Sequence, residues 1–235
     1  MRKALWILTA LPIIATAFVL QFMPDRIPAH YDFSGEIDRW GSKYELIVFP
    51  LVIIAISISW EVIFSIYNKK AQNASEDKQR AEILNNIKVM KITAVATTAL
   101  FVALHCFFLY KAYSEADSGL ANLDIDGIKV TCFLLGIQFI ILGNFIPKTK
   151  LNGAIGLRIS YSMYNDVTWS KSNRFGGLAL MISGVLTVVC SAIFSSTISL
   201  VLMLAFLTVS IIVMILYAKK VYEEEKKRKR NNRPI

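Results

Sequence analysis

Charge is scarce in this chain, with only 18% of its 235 residues being Asp, Glu, Lys or Arg. Histidine is scarcer still, since His30 and His105 are the two copies present. Two distant imidazoles leave no His–Glu–His ligand set, and no Ser–His pairing or phosphate-cradling glycine loop accompanies them. Cys106, Cys132 and Cys190 stand at no metal or redox spacing and inside apolar runs, so they read as small buried residues. The expectation is a protein that is not an enzyme and that carries no catalytic residue, metal or cofactor.

The residues present are apolar and grouped in blocks. Hydrophobic residues make up 55% of the chain, mean hydropathy is +0.50, and a soluble domain would spread them at helical or strand period. A membrane-crossing helix needs roughly 20 apolar residues at about 1.5 Å each. Six runs meet that length: 4–23, 45–67, 89–112, 127–146, 175–195 and 198–218. These predict an all-α polytopic membrane protein, a bundle of six transmembrane helices. The first run continues through Met23 before any turn signal, which favours an uncleaved span over a signal peptide.

Lys and Arg alternate between the connections. Twenty-one of them fall in the N-terminal tail, the second and fourth connections and the C-terminal tail, against three in the first connection and none in the third. The positive-inside rule then puts both termini in the cytoplasm and accounts for the net charge of +9 without nucleic acid. Glu223, Glu224 and Glu225 precede Lys227, Arg228 and Lys229 by four residues each, which predicts a solvated helix continuing from the last span. Its attraction to membrane lipid is expected to be unspecific.

Four regions follow: a two-span unit over 1–67, a cytoplasmic linker over 68–87, a four-span unit over 88–219 and a basic tail over 220–235. Ser75 is an expected N-cap before span three, and Asp124-Ile-Asp126-Gly127 an expected turn and N-cap before span four. Gly143 and Asn144, followed by Pro147, mark the end of span four. Spans five and six are joined by a few Ser and Thr residues and so form an antiparallel pair. Intramembrane polar residues are few: Glu61, His105 and Gln138. Proton-coupled transport and intramembrane proteolysis normally need more.

Two polar connections stand out. The outer one holds Pro24, Pro28, His30, Asp32, Gly35, Asp38, Trp40 and Lys43. Its prolines and turn residues predict an ordered cap at the membrane face. His30, Asp32, Glu36 and Asp38 match no zinc or calcium spacing. Tyr31, Phe33 and Trp40 suit the headgroup region. The inner connection, over 147–174 and preceded by Asn144, holds Pro147, Asn152, Gly156, Arg158, Trp169, Lys171 and Arg174. Its amides and glycines predict a tight turn with satisfied backbone groups.

The outer pattern resembles a signature of uncharacterised bacterial membrane proteins. The inner one, from Gly143 and Asn144 through Asn152, Gly156, Arg158, Trp169, Lys171, Asn173 and Arg174 to Gly177, is similar to that of the SdpI family. Asn173 stands where some relatives carry histidine. The resemblance implies a plasma-membrane immunity protein of a Gram-positive bacterium that protects against a secreted antimicrobial peptide toxin. It also implies signalling by sequestering a helix-turn-helix autorepressor at the cytoplasmic face. On that mapping the eight outer residues from Pro24 to Lys43 meet the toxin, and the inner residues Asn144, Pro147, Asn152, Gly156, Arg158, Trp169, Lys171 and Arg174 meet the repressor. Span four is the expected link between the faces. A small transporter or lipid-handling protein is the alternative on the same scaffold.

Overall fold

The computed structural model describes residues 1–32, 36–116 and 126–231. Six helices long and apolar enough to cross a membrane dominate it. They are α1 (Arg2–Val19), α2 (Val48–Gln72), α3 (Asp77–Ala116), α4 (Gly127–Phe145), α5 (Asp166–Ile193) and α6 (Ser196–Asn231). Between α1 and α2 lies a two-stranded antiparallel hairpin, β1 (Arg26–Tyr31) and β2 (Ile37–Ser42). Large side chains such as Ile14, Leu51, Val62, Ile182 and Leu216 are exposed on the helix surfaces, as a hydrocarbon solvent allows.

Helix α3 packs against α1 and α2, and α4 packs chiefly against α5, which pairs in turn with α6. Hydroxyls in the α1 seam are satisfied locally and across helices. Thr9 donates to Leu5 O at 2.8 Å and meets Ser57 Oγ at 2.6 Å. Thr16 donates to Pro12 O and meets His105 Nε2, both at 2.7 Å. The α4–α5 crossing depends on glycine. A Cβ on Gly136 would meet Gly184 O at 2.9 Å, and one on Gly143 would meet Gly177 O at 2.5 Å. The two backbones are therefore in contact at two points, seven residues apart on each helix.

Several boundaries differ from expectation. Helix α1 ends at Val19, four residues before its apolar run does. The linker over 68–87 is mostly helix, because α2 runs to Gln72 and α3 begins at Asp77. Ser75 precedes the start of α3 by two residues and lies outside the helix. Helix α5 begins at Asp166, so the second part of the inner connection is its first two turns. For α2 and α3, hydropathy marks where hydrocarbon begins, whereas good helix formers such as Lys69, Lys70, Ala71, Gln79 and Glu82 carry the helix beyond it. Asp126 caps α4, its carboxylate accepting from Ile128 N at 2.9 Å and Lys129 N at 3.2 Å. Helix α6 continues through the charged tail to Asn231 as expected.

Candidate functional sites at the two ends of the bundle

The outer connection folds as a hairpin rather than as irregular loop. In β1, Ile27 and Pro28 are buried, whereas β2 is mainly exposed. Pro28 cannot donate to a ladder, and the register slips beside it, between Pro28 and His30. Asp32 and Glu36 close the turn, with Asp32 N donating to Glu36 O at 2.8 Å. Gly35 lies outside the described residues, as does Phe33. His30 Nδ1 faces the Asp38 carboxylate at 2.7 and 2.9 Å. Lys43 ties the hairpin back to the preceding turn, reaching Asp25 at 3.0 Å and Met23 O at 3.3 Å. Pro24 and Trp40 are exposed.

Arg39 holds Glu45 through two bonds of 2.8 and 3.1 Å, locking β2 to the turn that leads into α2. Glu45 also completes a capping box with Ser42 over the short helical turn Lys43–Ile47. The third anchor is Tyr31, whose hydroxyl donates to Glu115 Oε2 at 2.5 Å. Lys111 pairs with the same carboxylate at 3.2 Å and lies 4.5 Å over the Tyr31 ring. Burial, joined by the adjacent Glu115 carboxylate, pushes the Tyr31 phenol up from its ordinary range.

Under this roof is a cavity of about 560 Å³. Its wall is apolar, with Ile27, Phe49, Phe108, Ile128 and Met203 contributed by five elements, while His30, Asp32, Glu45 and Lys111 sit among its lining residues. An apolar chamber with a few convergent polar groups is the usual form of a ligand site.

The inner connection is a folded plug. Asn152 Oδ1 accepts from Ala154 N at 2.8 Å and Ile155 N at 2.9 Å, and its amide donates to Lys150 O at 2.8 Å and Ile155 O at 3.0 Å. Gly156 has φ +121°, and a Cβ there would meet Asn173 Oδ1 at 2.7 Å. Asn173 Oδ1 accepts from Leu157 N at 2.7 Å, and its amide donates to Trp169 O at 3.0 Å. Trp169 Nε1 donates to Thr149 O at 3.0 Å. Helices α2 and α3 hold the plug from the other side. Gly153 N donates to Tyr67 Oη at 3.0 Å, Lys150 N donates to Asn86 Oδ1 at 2.8 Å, and Asn85 donates to Lys148 O at 2.7 Å.

The predicted inner residues therefore divide. Asn152 and Trp169 are buried and hold the plug together, Gly156 and Pro147 are partly buried, and Asn144, Arg158, Lys171 and Arg174 are exposed. Intramembrane Glu61 pairs with Arg2. Among the described residues no three His, Cys, Asp or Glu side chains gather as a metal site.

Residues 148–218 match the SdpI/YfhL protein family, and residues 7–54 match a domain of unknown function, DUF1648. The chain is also 23% identical, over 91% of its length and 94% of the relative's, to Immunity protein SdpI of Bacillus subtilis (strain 168). Its resemblance to the SdpI/YfhL family is thus carried by residues 148–218 and by that relative. The family match spans the plug, α5 and most of α6, and the DUF1648 match spans α1, the hairpin and the start of α2. The chain is a multi-pass plasma-membrane protein of a Gram-positive bacterium. No solved structure matches it.

Sequence reasoning missed the residues that receive the two connections. Tyr67, Asn85, Asn86, Lys111 and Glu115 lie in helices remote from either motif, and their pairing is set by packing. Asn85 and Asn86 had one visible signal, as adjacent amides at the cytoplasmic approach to span three.

Proposed function

We propose that this chain is an immunity protein that protects its cell from a secreted antimicrobial peptide. The carrying observation is its alignment over 91% of its length with a relative named an immunity protein. It acts by binding and without catalysis. The termini are cytoplasmic, which puts the hairpin outside and the plug inside. An apolar segment of the toxin enters the cavity beneath β1, and the polar hairpin residues from Pro24 to Lys43 meet its flanks. The exposed inner residues Asn144 and Arg158 face a helix-turn-helix autorepressor.

Expression in a host sensitive to a secreted antimicrobial peptide of the producing bacterium tests the reading. Survival is expected, and Thr131→Trp, which fills the cavity, should restore killing at unchanged membrane abundance. Unaltered killing of cells carrying the unmodified chain would overturn it. For the inner face, toxin should bring the repressor to the membrane fraction, and Arg158→Glu should release it.

A further inference from the structure

Lys171, Arg174 and Lys220 stand exposed around one depression of about 510 Å³ between the plug-proximal parts of α5 and α6. Glu224 lines it too, yet among the described residues none of the three cations takes part in a salt bridge. Phe175 and Tyr217 stack in its wall at 4.2 Å and 14°. Phe175 and Leu178 also line a second, apolar depression of about 300 Å³ that continues along the two helices, so the two are one groove.

The groove is shaped for a chain. Ala179, Ser183 and Ser210 are small, and Ile182 and Val209 stand exposed beside them. Its hydroxyls make no demand on an occupant: one of Ser183 and Ser210 donates to the other, and the Phe206 carbonyl, 3.1 and 2.9 Å from the two oxygens, accepts the remaining proton. From Arg174 to Leu186 the helix rises about 18 Å. One leaflet of a hydrocarbon core about 30 Å thick is close to that depth.

We propose that this groove seats one anionic glycerophospholipid, its phosphate on Lys171, Arg174 and Lys220 and an acyl chain between α5 and α6. Charge complementarity selects this occupant, because basic pockets between spanning helices attract anionic headgroups. A second copy of the chain fits poorly: rotation about the membrane normal would set the three cations against the same three. The proposal removes Lys171 and Arg174 from the repressor surface and holds whichever peptide the outer cavity takes.

Native mass spectrometry of the full chain in detergent, with equimolar phosphatidylglycerol and phosphatidylcholine, tests it. The unmodified protein should retain the anionic lipid with a preference of about tenfold. Substituting Lys171, Arg174 and Lys220 together by Gln should bring the ratio near one. The same change at Lys227, Arg228 and Lys229 removes equal charge from the tail and should leave the preference intact. Ala179→Leu should reduce retention of two-chain lipids while keeping the headgroup cations. Far-ultraviolet circular dichroism melts confirm that each variant is folded. Equal retention of both lipids by the unmodified chain, equal losses in the two triple variants, or a lipid-independent dimer would overturn the proposal.

Discussion

Asn173 makes two bonds from one buried amide, receiving Leu157 N and donating to Trp169 O, and so fixes the plug to the first turns of α5. Asn173→Ala leaves Leu157 N–H without its acceptor at a cost of about 1–3 kcal/mol. A lower melting temperature in detergent is the expected result, with an equal temperature ruling this bond out as an anchor. Gly156→Ala should destabilise by about 1–3 kcal/mol, since it combines a positive φ with a Cβ against Asn173. Gly153→Ala is the control, its Cβ reaching only Tyr67 Oη at 3.9 Å. At the outer end, the raised Tyr31 phenol gives a pH dependence of known sign. Its folded state keeps the proton more tightly than the unfolded state does, so the contribution is complete below about pH 10 and lost as pH rises further. Alkaline melts should show a smaller loss for Tyr31→Phe than for the unmodified protein.

At the scale of elements, the α4–α5 seam is the most exacting. Gly184→Val puts side-chain atoms where Gly136 O and Ile140 N lie, at 2.6 and 2.9 Å from even the first carbon. Forcing the helices apart should cost about 1–3 kcal/mol or more. Gly176→Ala, whose Cβ meets Met214 Sδ at 3.4 Å, should melt close to the unmodified protein. The six spans, the Asp126 cap, the α5–α6 pair and the helical tail were legible, because each rests on local hydropathy, charge or capping. The hairpin was not: β1 carries Pro28 and no clean alternation, and its partners Glu115 and Lys111 lie some 80 residues away in sequence. The seven-residue glycine spacing in both helices was visible, but nothing local says which helix faces which. For the sites, the motif residues were found and their duties were not, since burial separates Asn152 and Trp169 from exposed Arg158 and Lys171 only after folding.

For the whole molecule, the alternation of basic and acidic connections predicts sidedness. Tyr44→Cys, beside the hairpin, should react with a membrane-impermeant maleimide on intact cells, and Lys227→Cys only after permeabilisation. The reverse pattern would invert the orientation. Both ends meet on α3, which is continuous from Asp77 to Ala116, with Asn85 and Asn86 holding the plug and Glu115 holding Tyr31. From Asn86 to Glu115 that helix is a strut of about 44 Å. Mechanically it is a lever. A tilt of about 5° around its midpoint carries each end sideways by about 2 Å, a hydrogen bond's margin, and in opposite directions. A load on the hairpin at Tyr31 would reach the carbonyl of Lys148 and the amide of Lys150 as torque.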